Sequence, residues 1–131
     1  MYHLKALESK MALSPDALGR FGETLAMKAL RKKGFKILAR NWCSPVGELD
    51  LVARHRKTLV FVEVKTRRCS SPYPPEAAVD GRKQIRLRRA AQAYLARHPF
   101  QRWKEVRFDV VAVSVNQEDA PVDVQHFPDA F

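Results

Sequence analysis

The sequence predicts a mixed α/β domain in which helices flank a central sheet. Three observations carry this. Residues 36–66 hold three runs of apolar and β-branched residues separated by short turns, two stretches with a helical apolar period bracket them, and a valine-rich run, "VRFDVVAVSV", follows the second of these. At 131 residues, with 46% hydrophobic and 29% charged content, the chain fits one globular domain with enough apolar material for a real core.

Residues 1–13, "MYHLKALESKMAL", read as a flexible leader, with Met11 an alternative start, so the single folded domain is expected over residues 14–131. "SPDALGRFGETLAMKALRKKGF" then supplies Ser14 as N-cap, Pro15 at the first helical position and Gly34 as the stop after a basic last turn. Leu18, Phe21, Leu25 and Ala29 form its apolar stripe, with Ala26 and Leu30 toward one edge and Glu23 just beyond Leu30. From the helix alone, Glu23 reads as a solvated edge residue. "KILARNW" (36–42), "GELDLVAR" (47–54) and "TLVFVEVKT" (58–66) are strands, joined by "CSPVG" and "HRKT" as antiparallel hairpins. "RCSSPYPPEAAVDG" (68–81) is too rich in proline for an element interior and is long enough to be a functional flap. A second helix, "RKQIRLRRAAQAYLARHP", ends at Pro99 and offers Ile85, Leu87, Ala91, Tyr94 and Leu95 as a core face. "VRFDVVAVSV" (106–115) is a strong strand, and "PVDVQHF" adds an edge.

Twenty-four Lys and Arg against 14 Asp and Glu give a net charge of +10. All four acids after Val115 lie in a tail lacking Lys and Arg, so residues 1–114 carry +14. A domain this basic points to a polyanionic partner, most commonly nucleic acid, with a merely soluble basic surface as the alternative. Cys43 and Cys69 form no CxxC or Cys/His cluster, so neither a disulfide framework nor a zinc site is indicated and a reducing cytoplasm fits. Apolar runs such as "LVFV" are far too short to span a bilayer.

The unusual stretch is "GELDLVARHRKTLVFVEVKTR" (47–67), where three carboxylates and a lysine interrupt apolar strands. Strand alternation puts Glu63 and Lys65 on one face with Leu59 and Phe61, and Glu48, Asp50 and Val52 on one face opposite Leu49, Leu51 and Ala53. A four-residue loop from His55 to Thr58 sets Asp50 across from Glu63. Opposed carboxylates destabilise a sheet and drive one pKa upward unless a cation lies between them. Oxygen ligands without histidine or thiol favour Mg²⁺ or Mn²⁺. Lys65 would then orient or deprotonate a water and stabilise charge on a phosphate. The alternative is a structural network of Asp, Glu and Lys.

"GELDLV", a short hairpin and "LVFVEVKTR" resemble the PD-(D/E)xK nuclease core. The fuller pattern, "GRFGETLAMKAL", "GF.IL.RN", "GELDLV", "LVFVEVKTR" and "RFDVVAV", resembles the YraN-like family of small bacterial proteins over about residues 19–113. The resemblance implies a restriction-endonuclease-like fold similar to archaeal Holliday junction resolvases, metal-dependent DNA endonuclease activity, branched DNA as substrate and a homodimer. It maps the metal-binding acids onto Asp50 and Glu63, the catalytic lysine onto Lys65 and the helix-borne acid onto Glu23. The proline of the PD pair is absent, because Leu49 precedes Asp50. A Gln and Tyr signature found in some nuclease branches has no convincing match around Gln84 and Tyr94.

"RKQIRLRR" (82–89) places five basic residues in eight at a helix start, where they oppose the macrodipole. Phosphate contact by Arg82, Lys83 and Arg86 compensates, and Arg67 and Arg68 carry charge from the catalytic strand into the adjoining loop. Asp109 reads as a buried acid paired with an arginine. Two rival readings remain: a nucleic-acid-binding module that does not cut, and a basic domain that docks on a protein.

Overall fold

The computed structural model describes residues 13–69 and 79–131, so the expected leader apart from Leu13 and most of the proline-rich flap lie outside the described residues. The elements are α1 (Pro15–Lys32), β1 (Lys36–Ser44), β2 (Gly47–His55), β3 (Thr58–Arg68), α2 (Gly81–Arg97), β4 (Glu105–Val115) and β5 (Pro121–Phe127). The strands form one sheet in chain order. β3 and β4 are parallel, bridged by the crossover containing α2, and every other neighbouring pair is antiparallel. This is the expected α/β architecture, a mixed sheet with a helix on each face.

α1 starts on the Ser14 side chain, which accepts from Ala17 N at 3.2 Å, and stops before Gly34 at φ 88°. Its buried line is Leu18, Gly22, Ala26 and Leu30, packed on Val60, Val62, Val111 and Val113. The stripe is thus centred on residues expected at its edge. Gly22 explains the shift. A Cβ there would fall 1.7 Å from Thr66 Oγ1, so helix and strand approach at a contact only glycine permits.

α2 covers the other face, burying Leu87, Ala90, Ala91 and Tyr94 against Val52, Leu59, Phe61 and Val110. Ile85, expected in this core, is 53% exposed. At about 100° per residue it lies nearly opposite Leu87 and Tyr94 on the helix. The basic start of α2 is offset by an N-cap absent from the sequence reading, Asp80, whose Oδ1 accepts from Lys83 N at 2.9 Å. Asp109, fully buried, has the expected arginine partner, Arg107, and a second partner in His126, whose Nε2 lies 2.6 Å from Oδ2.

Candidate metal centre and nucleic-acid interface

β2 changes facing at Asp50. Leu49 packs with Val52 on the α2 side, whereas Leu51 and Ala53 pack beneath α1, so Leu49 does not share a face with Leu51 as strict alternation required. Opposite the slip, between the pairs Arg40–Leu51 and Trp42–Leu49, Asn41 adopts φ 49°, a left-handed conformation that Asn tolerates better than most residues. The β2–β3 ladder keeps the expected register, Arg54 opposite Leu59, but its last backbone pair is Leu51–Val62. Asp50 comes next. Instead of continuing the ladder, its Oδ2 accepts from Val64 N at 2.9 Å.

That turn of the chain sets Asp50 beside Glu63. Burial, then the Glu63 carboxylate, pushes the Asp50 pKa up to about 7, and the Val64 amide and the Lys83 charge oppose the rise only in part. Glu63 is itself 7% exposed and takes an ion pair from Lys83, Nζ to Oε1 at 3.0 Å. Glu23 enters from α1. It lies about 20° from the fully buried Leu30 around the helix, which turns it inward rather than to the solvated edge. Burial, then the Asp50 charge, raises its pKa, while Asn41 and Arg40 pull against the shift. Glu23 Oε1 is buried with no hydrogen-bond partner among the described residues, and Arg40 Nε stands 3.8 Å from it. Arg40 is fixed by its bonds to Arg20 O and Thr24 Oγ1.

Asp50 and Glu63 line a pocket of about 400 Å³, closed on the α2 side by Lys83, Arg86 and Leu87. Gly47 lets α2 come close, since a Cβ there would sit 3.3 Å from Ala90 Cβ and 3.4 Å from Arg86 O. Lys65 lies two residues beyond Glu63 on the half-buried end of β3, followed by Arg67. Arg82 is exposed at the α2 start. Lys83 and Arg68, both expected at nucleic acid, are engaged within the chain: Lys83 in the Glu63 pair, and Arg68 through Nε and Nη2, which hold Asp119 Oδ1 at 2.9 Å and Leu13 O at 3.0 Å. Among the described residues no group of three His, Cys, Asp or Glu side chains is gathered into a complete metal site. Arg40 and Asn41 enter the sequence pattern only as the end of "GF.IL.RN", with no role that the sequence assigns them.

The profile of "Uncharacterised protein family UPF0102" matches residues 22–113, a span holding Glu23, Asp50, Glu63, Lys65 and α2. The chain belongs to this family. It is the YraN family that the motifs resemble. The UPF0102 protein of Syntrophotalea carbinolica is 52% identical over 115 residues, 88% of this chain and 91% of that protein. A UPF0102 protein of Frankia casuarinae is 48% identical over 116 residues, 88% of this chain and 97% of its own length. That of Roseiflexus castenholzii is 42% identical, covering 85% and 90%. These names carry a UPF0102 assignment and no activity. Among the described residues, no helix is long and apolar enough to cross a membrane.

Proposed function

We propose that this UPF0102 protein is a divalent-metal-dependent DNA endonuclease that hydrolyses phosphodiester bonds, acting in the cytoplasm on branched DNA in repair or recombination. The observation that carries the reading is the Asp50–Glu63 pair: a half-buried and a buried carboxylate on adjoining strands, the first pushed up to about 7, at the wall of a pocket lined by cations. A structural pair would be expected to have each acid matched by its own cation, whereas Asp50 takes a backbone amide, and Glu23 Oε1, 3.8 Å from Arg40 Nε, accepts no hydrogen bond among the described residues.

The donor set is all oxygen and fits Mg²⁺ or Mn²⁺, with Asp50 and Glu63 as ligands and Glu23 behind them. When bound, the ion supplies Lewis-acid charge to the scissile phosphate and its attacking water. Lys65 orients that water and faces the charge growing on phosphate. Arg67, Arg82 and Arg86 hold the nucleic-acid backbone. Lys83 leaves Glu63 to join them. A two-fold substrate such as a junction is matched by a homodimer, which sedimentation would report as about 30 kDa against 15.0 kDa for the single chain.

Purified protein should cleave labelled four-way-junction DNA with Mg²⁺ or Mn²⁺ and stop in EDTA. Asp50→Asn and Glu63→Gln should lose metal binding and cleavage together. Lys65→Ala should keep metal binding and lose about 10²-fold or more in rate, the scale of one preorganised electrostatic group. Wild-type metal affinity in Asp50→Asn, or wild-type cleavage in Lys65→Ala, would overturn the enzyme. The Lys83–Glu63 ion pair favours one rival, a nucleic-acid-binding module that does not cut, because it neutralises Glu63 without an ion. That rival predicts binding and no cleavage with any divalent ion.

A further inference from the structure

At the far end of the sheet from Asp50, the β2–β3 turn and the segment following α2 enclose a hollow of about 280 Å³. Its rim carries Arg54, Arg56, Lys57 and Arg102, and Trp103 forms a wall. Lys104 stands over an adjoining depression shared with Arg56, Lys57 and the single acid Glu105, and its backbone N–H bonds Lys57 O at 2.9 Å, tying the two segments together. All five cations are exposed, and none has an ion-pair partner among the described residues. Gathering five unpaired cations costs repulsion that a polyanion relieves.

A further observation points to the ligand. Phe100, directly before the hollow-lining Gln101, is 95% exposed, which leaves a whole aromatic face beside the cations. Phosphate-binding cations next to an open aromatic ring are the two parts of a single-strand site, where the backbone is neutralised and an unstacked base lies on the ring. Arg56 also holds φ 57° in the hairpin turn, where Gly or Asn would cost less.

We infer that this end of the molecule is a second nucleic-acid site, specific for single strands, separate from the Asp50–Glu63 pocket. Six residues of strand, at about 3.3 Å each, set Arg56 ~20 Å from Asp50. α2 spans the gap, with Arg86 at the pocket and Arg97, eleven residues on, on the same helical face. A strand held in the pocket can therefore run along α2 to Phe100.

The site is independent of cleavage, and its test is binding in EDTA. Fluorescence anisotropy would follow a labelled 30-mer of thymidine and a duplex of equal length, across salt concentrations, with the full chain. The triple variant Arg56→Gln/Lys57→Gln/Arg102→Gln should lose about tenfold or more in single-strand affinity, and its log-log salt slope should fall by about 0.7 for each phosphate contact removed. A matched triple on the outer face of α1, Lys28→Gln/Arg31→Gln/Lys32→Gln, should bind the single strand as the wild type does. Phe100→Ala should lose about five-fold to 100-fold for the single strand, keep the salt slope and leave duplex affinity unchanged. Equal losses in both triples, wild-type single-strand affinity in Phe100→Ala, or no single-strand binding by the wild type would each overturn the inference. A failure of the nuclease reading would leave these outcomes as they stand.

Discussion

Lys83 is the residue on which the proposed chemistry turns, because its ammonium holds Glu63 Oε1 at 3.0 Å and also raises the positive potential at Asp50. A divalent ion shared by Asp50 and Glu63 must displace that bond and overcome that charge. Removing the ammonium with Lys83→Met should therefore tighten Mn²⁺ binding by about tenfold or more, since a unit charge about 5 Å from a divalent ion repels it by about 1.7 kcal/mol even at the dielectric of water. The same variant should weaken DNA binding, since its phosphate contact is gone. Calorimetric titration of Mn²⁺ into wild type and variant decides it. Unchanged or weaker metal binding would mean that Lys83 and Glu63 form a structural pair with no ion competing for it.

At the scale of elements, the position of α1 rests on Gly22. Gly22→Ala would improve helix propensity by about 1 kcal/mol, but the new Cβ would meet Thr66 Oγ1 at 1.7 Å and Thr66 Cβ at 2.8 Å. Threonine is stiff at χ1 and cannot swing clear, so overpacking of about 1–3 kcal/mol or more outweighs the propensity gain. Urea unfolding should show a net loss, and Thr66→Gly in the same chain should recover most of it; a stabilised single variant would contradict the contact. This contact also explains which parts of the site could be read from sequence. The strand runs around Asp50, Glu63 and Lys65 are legible because alternation and apolar content are local properties. Glu23 was legible only through the family resemblance. The inward side of α1 is marked by a glycine that carries no hydrophobic signal, so the stripe looked centred on Leu18, Phe21, Leu25 and Ala29. The slip at Asp50 was equally invisible, since it depends on Asn41 across the ladder rather than on β2 itself. The ion pair of Arg68 with Asp119 joins residues 51 positions apart and left no trace in either segment.

Over the whole molecule, half-buried Asp50 and buried Asp109 set opposite pH responses. Burial and then Glu63 push Asp50 from 3.8 up to about 7, and burial and then Asp50 raise Glu23 in the same direction. A carboxyl that holds its proton more tightly when folded contributes stability that is complete below its unfolded pKa and is lost as pH rises through its folded one. For Asp50 that window runs from 3.8 to about 7. Asp109 behaves in reverse. Burial pushes its carboxyl up, but hydrogen bonds from His126, Arg107 and the Asp129 amide outweigh burial and hold it below the ordinary value, so its stability is present above 3.8 and lost as pH falls below it. Its partners tie β5 and the segment after it to β4, so Asp109→Asn should destabilise the neutral-pH fold by about 3 kcal/mol or more, as breaking a buried ion pair does. In EDTA, the melting temperature of the wild type should fall by several degrees between pH 5 and pH 8. Asp50→Asn keeps an acceptor for the Val64 amide and lacks the titrating proton, so its melting temperature should stay nearly flat over the same range. Mg²⁺ should then recover the wild type at pH 8, where both carboxylates are ionised and binding adds stability by mass action, and should leave Asp50→Asn unmoved. Parallel declines in the two proteins would assign the titration to other groups, and equal recovery by Mg²⁺ would remove Asp50 from the metal centre.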